Sequence, residues 1–515
     1  MPKFKAYSQY QTSFLPSSLA DCLPSNHLCF LINDIVEQLD LSAIIRTYSD
    51  NGSPAYNPQL MIKILFYGHT QGVRSSRKIE NRLNEDIVYR FLAANQQPDH
   101  GTISSFRKIH LSALKEIFAQ IVVLSNKLGM VDLSDISVDG TKLKANASTS
   151  NLYSQEQIDK QKKKFDEYFA EADAIDAAED KLFGDSVGYN TVSPDMVDPV
   201  KRIKTIEEIL KKEKVQKKMD KLKIAEQNIK DKQDKVNTKE EKELKKNSTS
   251  NTTDSDANLM IMKDKSYKIA YNVQLSSSKQ VITAYDLNNE PTDVKSLIGM
   301  IEETERNTGQ KVKTVKADAG YFNLDNIEYC EDNQIDAYIP DGMKSVEERQ
   351  ARKNEIPRFD RRNFQYDKDK NIFICPEGKT LKFLEREKDG TIKYIGTECE
   401  NCLHKALCTK GKNRKLQINF KLKEITEKMR TKLNTEEGKK KYLERMSEIE
   451  PVNGNIKYNQ NFNYFLCRGK PTTLIELGLA STAHNLIKIF HWMKKNNKLR
   501  KDMQWNSLMS LQAAS

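Results

Sequence analysis

The sequence predicts an α/β protein in which an all-helical N-terminal part precedes a mixed sheet with inserted segments. Three observations favour this fold class. Up to about residue 130, apolar residues recur at the three- and four-residue spacing of helices. Around residue 135, and again from 266 to 340, short apolar runs of strand length take over. Between these regions the composition becomes strongly polar, which indicates an insertion.

Residues 28–130 contain the helical segments PQLMIKILFYGHTQG, SSRKIENRLNEDIVYRFLAAN and TISSFRKIHLSALKEIFAQIVVLSNKLG. Glycines and the break QQPDHG separate them. We predict that residues 1–130 form a DNA-binding domain of helix-turn-helix type, although a plain helical bundle fits the pattern equally well. The candidate DNA contacts on these helices are Arg74, Arg77, Lys78, Arg82, Arg107 and Lys108.

DISVDGT reads as the first strand of the sheet. SYKIAYNVQLS and QVITAYDLNN then form a hairpin, KVKTVKAD is a fourth strand and DAYIP a fifth, with helices before and after the fourth strand. This order predicts a ribonuclease H-like mixed sheet, in which strands one and four each deliver an acid to one edge. The predicted core comprises residues 131–340 and 431–500.

A charged insertion over residues 152–250 interrupts this core. Its two halves have opposite charge, with a net −7 over residues 151–200 and +7 over residues 201–250. The two halves can pack as a helical hairpin, or the segment can be mobile.

Two aspartates follow the same pattern: Asp139 in SVDGT and Asp318 in KADAG each come after an apolar strand and just before a glycine. A buried carboxylate without a partner is costly, so two of them at strand ends indicate a common function. Phosphodiester chemistry uses divalent cations about 4 Å apart, which need only a few carboxylate ligands. We therefore expect two Mg²⁺ or Mn²⁺ ions and a third acid from a later helix.

The third acid is sought in KKYLERMSEIEPVNGNIKYNQ. Tyr442, Arg445 and Glu450 fall roughly on one side of a helix, and Lys457 follows. Because Pro451 pushes the preceding residue out of helical geometry, we expect Glu450 at a kink or helix end.

With these segments the chain resembles bacterial insertion-sequence transposases of the DDE type. They belong to the broad group of the fourth and fifth insertion-sequence families, and the chain is most similar to the branch numbered eleven-eighty-two. SVDGTKLKANAS, KADAGYF and the pattern Y-x2-R…E-x6-K carry the likeness.

The resemblance implies a DNA transposase with the catalytic and Mg²⁺-binding residues Asp139, Asp318 and Glu450. Tyr442, Arg445 and Lys457 would be accessory DNA-contacting residues. It further implies terminal inverted repeats and target DNA as double-stranded partners, and an active homodimer. One departure is that four residues, MSEI, separate Arg445 from Glu450 where the family pattern has three. Glu448 and Glu476 therefore stay as alternatives.

Four cysteines are clustered in a second predicted insertion, residues 341–430: Cys375, Cys399, Cys402 and Cys408. Their spacing predicts a structural Zn²⁺ site, with His404 as an alternative ligand. The remaining cysteines are isolated in the sequence and read as core or incidental thiols. The basic stretch KGKNRKLQINFKLK follows, and we expect Arg414 and Lys415 to contact the DNA end.

The formal charge of +11 is concentrated towards the C-terminal end, with about +14 over residues 401–500. Such an excess suits a polyanion such as DNA, but a lysine-rich solvated surface gives the same count. With no long apolar stretch or signal sequence, we expect a cytoplasmic protein without a membrane partner, and residues 501–515 as a tail. Other functions in keeping with the sequence are a nuclease without strand transfer, a non-catalytic DNA-binding regulator and a zinc-stabilised RNA-binding scaffold.

Overall fold

A computed structural model describes residues 18–49, 54–167, 199–234, 249–343, 357–388 and 390–496. The first part of the described chain is helical, as the apolar spacing predicts. After a short 3-10 helix, Leu19–Cys22, come helices α1 to α7: Leu28–Gln38, Ser42–Ile45, Pro58–Thr70, Ser76–Glu85, Ile87–Leu92, His100–Ile109 and Leu111–Lys127.

Polar side chains fix where several of these helices begin. Asn57 caps α3, Asp86 caps α5 and Asp99 caps α6, each accepting a hydrogen bond from a backbone amide of the first turn. Such caps satisfy amides that have no partner within the helix. The short helices are therefore held in a defined arrangement around one apolar core.

Strand β1, Asp135–Lys144, is the central strand of the main sheet. It is followed by a 3-10 turn, Thr149–Asn151, and by the small ribbon formed by β2, Leu152–Ser154, and β3, Thr249–Asn251. The other strands of the main sheet are β4 (Asn258–Ile261), β5 (Tyr267–Ser278), β6 (Val281–Asn288), β7 (Thr314–Ala317) and β8 (Asp336–Tyr338).

The sheet is mixed, and its pairing determines where the candidate acids lie. β1 pairs antiparallel with β5 and parallel with β7. β6 continues antiparallel from β5, and β8 continues parallel from β7. The five predicted strands are thus confirmed, and β4 is an addition that pairs with the first residues of β5.

Helices cover both faces of this sheet. Two follow strands in sequence: α10, Leu297–Thr308, after β6, and α11, Leu324–Asp332, after β7 and a 3-10 turn at Ala319–Tyr321. They pack on one face, and Gly309 ends α10 in the left-handed conformation that favours glycine. The other face packs against the C-terminal helices.

Part of the charged insertion is a helical hairpin. Helix α8, residues 155–167, packs against α9, Pro199–Asp234. Ile158 is buried among Leu222, Ala225 and Ile229. This favours the hairpin over a wholly mobile segment, although the hairpin's connection, residues 168–198, lies outside the described residues.

The cysteine-bearing insertion contains its own antiparallel sheet. A 3-10 turn at Arg361–Asn363 precedes it, and its core is formed mainly by aromatic and leucine side chains. The elements are β9 (Gln365–Asp367), β10 (Ile372–Ile374), β11 (Thr380–Arg386), β12 (Ile392–Gly396), α12 (Lys405–Cys408) and β13 (Lys415–Ile418).

The chain then returns to the main sheet through a series of helices. These are α13 (Phe420–Asn434), α14 (Glu436–Glu448), α15 (Glu450–Gly454), a π-helical turn (Asn455–Asn459) and α16 (Lys470–Lys495). α16 contributes Leu486 and Ile489 to the N-terminal helical core and Leu477 to the sheet core. The helical part and the sheet therefore share one buried helix. Among the described residues, no helix has the length and apolarity required to span a bilayer.

Candidate active site

Asp139 and Asp318 lie side by side where the pairing of β1 with β7 ends. The last paired residues are Val138 and Ala317, and each aspartate directly follows one of them. Adjacent strands are about 4.8 Å apart, so the two carboxylates are neighbours. Asp139 is not at the end of β1, as the sequence suggested, because antiparallel pairing with β5 continues the strand to Lys144.

The carboxylate of Asp139 is unusually basic. Its pKa is raised to about 6, chiefly by burial, with the negative charges of Asp318 and Asp293 adding to the effect. Arg445 and Lys263 act in the opposite direction without cancelling it. A buried acid of this kind favours a proton or a cation close to its oxygens.

Helices α14 and α15 bring the third acid towards this pair. Glu450 is the first residue of α15, directly after the break that Pro451 predicts, and its side chain is 51% exposed. Arg445 connects the acids: one guanidinium nitrogen is 3.6 Å from Asp139 Oδ1 and another is 3.8 Å from Glu450 Oε1. Asn453 also donates a hydrogen bond to Asp139 Oδ2 at 2.8 Å.

The two alternative glutamates are engaged elsewhere. Glu448 Oε2 lies 2.8 Å from the buried ammonium of Lys316 and accepts a hydrogen bond from Ser137 at 2.6 Å. Glu476 is buried against Arg74. Of the three glutamates, Glu450 is the one joined through Arg445 to the aspartate pair.

Tyr442 and Lys457 border the same site. The ring of Tyr442 is 5.8 Å from the guanidinium carbon of Arg445. Lys457, in the π-helical turn, donates a hydrogen bond to Thr141, two residues along β1 from Asp139. Burial lowers the pKa of Lys457, Lys263 lowers it further, and Asp139 partly opposes this shift.

A fourth acid, Asp293, was missed by the sequence analysis. It lies in the loop between β6 and α10 and approaches β1 at Gly140. A Cβ atom on residue 140 would lie 2.6 Å from Asp293 Cγ, so only glycine leaves room for this approach. The glycine directly after Asp139 was the available signal, but it does not say which residue needs the space.

The donor set suits a hard divalent cation, since carboxylate oxygens are the ligands that Mg²⁺ prefers. In the described ranges, however, no three His, Cys, Asp or Glu side chains are close enough together to form a finished metal site. Arg445 lies between Asp139 and Glu450 and forms an ion pair with each. The carboxylates of Asp139 and Asp318 are thus groups of the kind such an ion takes, whereas that of Glu450 is held by Arg445.

Profiles of known protein families match two parts of the chain. One described as a transposase DDE domain matches residues 374–490, and one described as a transposase domain (DUF772) matches residues 17–109. The first spans Glu450 and Lys457, and the second covers most of the N-terminal helices. Both descriptions support an insertion-sequence DDE transposase. No curated protein and no solved structure matches it.

The four clustered cysteines of the chain line one small cavity of about 20 Å³. All four are free thiols, so they form no disulfide. Backbone amides of Lys379 and Arg414 donate to the sulfurs of Cys375 and Cys399 at 3.3 and 3.5 Å. His404 is not part of the cavity lining and is 3.9 Å from Glu377.

The structure corrects one assignment of a DNA contact, that of Arg74, and shows the half-buried Arg107 and Arg414 engaged within the protein. The Arg74 side chain is only 3% exposed, pairs with Glu476 at 2.9 Å and stacks on Phe462, so it has no surface to offer DNA. Arg107 is directed inward, donating to the backbone of Arg74 and to Ser76. Arg414 likewise donates to the carbonyl of Cys408 within its own insertion.

Other basic residues of the N-terminal helices remain on the surface. Arg77, Lys78, Arg82 and Lys108 are exposed, as is Lys415 in the cysteine-bearing insertion. The exposure of a basic side chain to DNA thus depends on tertiary contacts, which the helical pattern of the sequence does not predict.

A basic groove of about 800 Å³ begins at the far end of β1. Its charged lining is entirely cationic within the described residues: Lys144, Lys221, Lys268 and Arg468. Tyr267 and Tyr464 also line it, and both rings are partly exposed. At about 3.3 Å per residue, Lys144 lies roughly 16 Å along the strand from Asp139.

Proposed function

We propose that this transposase cleaves DNA at the ends of its element and joins the 3′ hydroxyls to target DNA. Asp139, Asp318 and Glu450 are the acids of the reaction in this proposal. The observation that carries it is the adjacency of Asp139 and Asp318, with Arg445 bridging to Glu450. The strand order β6-β5-β1-β7-β8 supports a ribonuclease H-like core, and the branch numbered eleven-eighty-two stays the proposed family.

Two Mg²⁺ or Mn²⁺ ions, held by these acids, would supply polarisation of the attacking and leaving oxygens. The chain's own groups position the acids and the phosphate. Asn453 orients the Asp139 carboxylate through its hydrogen bond. Arg445, released from Asp139 and Glu450, can pair with phosphate oxygens through its planar fork. Lys457 offers a second cation on the same side, with Tyr442 packed against Arg445.

The DNA path in this proposal follows the basic groove beside β1. Its cations suit the phosphate backbone, and its tyrosines can stack on bases near the cleaved end. Residues 1–130 would bind the terminal inverted repeats through exposed side chains such as Arg77, Lys78 and Lys108. Since two ends must be processed together, the proposed active form is a homodimer.

The proposal includes a structural Zn²⁺ ion bound by Cys375, Cys399, Cys402 and Cys408. Its basis is that all four thiols line one cavity and that amides donate to two of the sulfurs, although in the described residues the sulfurs do not form a finished metal site. Four protein ligands would leave no open position for catalysis. Metal analysis of the purified chain should give one Zn²⁺, lost in Cys402→Ser and kept in His404→Ala. Zinc-free wild-type protein would contradict this part.

End cleavage tests the catalytic proposal. The substrate is a duplex carrying the inverted repeat that flanks the reading frame, with Mg²⁺ supplied or withheld. We expect Mg²⁺-dependent cleavage by the wild type, and loss of about 100-fold or more in Asp139→Asn and Asp318→Asn, with DNA binding retained. Full cleavage by either variant would refute the assigned acids.

Strand transfer distinguishes the transposase reaction from simple nuclease action. Pre-cleaved ends are incubated with a target plasmid, and joined products are detected by their altered mobility. We expect the wild type to join the ends to the plasmid, and Asp139→Asn and Asp318→Asn not to join them. Cleavage without joining would favour the nuclease, and binding without either reaction would favour a regulator.

A further inference from the structure

We propose that Asp293 is a fourth acidic residue of the active site and holds a divalent cation together with Asp318. The inference rests on the proposed function of Asp139 and Asp318 and extends it to a residue outside the predicted triad. It assigns the loop between β6 and α10 a direct part in the chemistry of the site.

The position of Asp293 is fixed by buried amides of β5. Asn272 and Gln274, both fully buried or nearly so, donate to Asp293 Oδ1 at 2.7 and 2.6 Å. The buried Tyr321 hydroxyl donates to the other end of the Gln274 amide, so the nitrogen of Gln274 must face Asp293. The loop carboxylate is therefore held in one orientation by the sheet itself.

These hydrogen bonds use one oxygen of Asp293 and leave the other for the site. A Cβ on Gly320 would lie 2.9 Å from Asp318 Oδ1 and 3.5 Å from Asp293 Oδ2. Both oxygens therefore border the same point above Gly320, where Asp318 Oδ1 also accepts a hydrogen bond from the Gly320 amide at 2.8 Å. No lysine or arginine in the described ranges forms an ion pair with either of them.

A purely structural role would not require this arrangement. Anchoring the loop needs only Oδ1, and a neutral asparagine could accept the same hydrogen bonds. Two carboxylates directed at one point, by contrast, repel each other unless a cation lies between them. Gly140 leaves room for the Asp293 carboxylate itself, and Gly320 leaves open the point that both carboxylates border.

The experiment measures Mn²⁺ binding to the chelator-treated full chain by the electron paramagnetic resonance signal of free Mn²⁺. Asp293→Asn keeps the shape and the hydrogen-bond acceptor but removes the charge. Asp318→Asn tests the proposed function. Asp286→Asn is the matched control, since Asp286 is exposed on β6 close to the same loop.

We expect Asp293→Asn to weaken Mn²⁺ binding about 10- to 100-fold with unchanged thermal unfolding in chelator, and Asp286→Asn to match the wild type. The Mg²⁺ concentration for half-maximal end cleavage should rise by a similar factor. If Asp318→Asn weakens binding while Asp293→Asn does not, the fourth acid is wrong and the proposed function stands. If neither variant weakens it, the cation does not bind here and both proposals fail.

Discussion

Two clusters of acidic residues lie along strand β1, and only one of them contains enough basic side chains to pair with its acids. Near the start of the strand, Asp135, Glu444 and Glu448 surround the fully buried ammonium of Lys316 at 2.8, 3.5 and 2.8 Å. Lys441 adds a second cation, 2.7 Å from Asp135 and 3.1 Å from Glu444. Lysines of the protein itself therefore neutralise these acids, and we call this group the closed cluster.

Four residues further along β1, the balance of acidic and basic side chains is different. Asp139, Asp318, Asp293 and Glu450 share only Arg445 as an ion-pair partner within the described residues, at 3.6 Å or more. The charge of a buried acid with a partner is compensated within the fold, whereas a buried acid without a partner favours a proton or an external cation. The first cluster is thus structural, and the second is the proposed metal site, although α14 packs over both.

Removal of Lys316 should have the largest effect on stability. Lys316→Met keeps the buried stem but leaves three carboxylates without their central cation, which should lower the free energy of unfolding by about 3–5 kcal/mol. Chemical denaturation measures this. Lys313→Met, exposed just before β7, is the control and should stay within about 0.5 kcal/mol of the wild type. Similar losses in the two variants would mean that the closed cluster contributes nothing special.

A methyl group at residue 140 should disturb the open cluster, which consists of Asp139, Asp318, Asp293 and Glu450. Gly140→Ala places a carbon within 2.8 Å of the Gln274 amide and closer to Asp293, so the loop carboxylate must move away. We expect a loss of about 1–3 kcal/mol in unfolding free energy and Mn²⁺ binding as weak as in Asp293→Asn. Gly299→Ala, with open space around its Cβ position, is the control. Unchanged Mn²⁺ affinity in Gly140→Ala would show that Asp293 does not bind the cation.

The local features of these two clusters were predictable from the sequence. Strand patterns predicted the main sheet and its delivery of Asp139 and Asp318 to one region, although β1 continues past Asp139, and Pro451 predicted the break before Glu450. Contacts between distant segments were not predictable in this way. The burial of Arg74 depends on Glu476, about 400 residues later, and Asp293 reaches the site only through the packing of its loop on β5. Sequence spacing contains neither contact.

The open cluster should also make stability depend on pH. The Asp139 pKa is about 6 in the fold and 3.8 in the unfolded chain. Between these values the folded state keeps a proton that the unfolded state releases, so stability falls as pH rises through this window. Asp139→Asn should therefore gain up to about 3 kcal/mol over the wild type at pH 7.5 in chelator, and almost nothing at pH 4. An equal gain at both pH values would show that the charge is not the cause.

The smallest effect is expected at the rim of the closed cluster. Lys441 pairs with Asp135 and Glu444 but is one-third exposed, so solvent can replace much of what it provides. Lys441→Met should lower the unfolding free energy by less than about 1 kcal/mol, because Lys316 still neutralises the buried oxygens. Added to Lys316→Met, however, it should cost more than its single effect, since no internal cation would remain beside Asp135. Strict additivity in this double-mutant cycle would mean that the two lysines do not compensate for one another and that the cluster is not one closed unit.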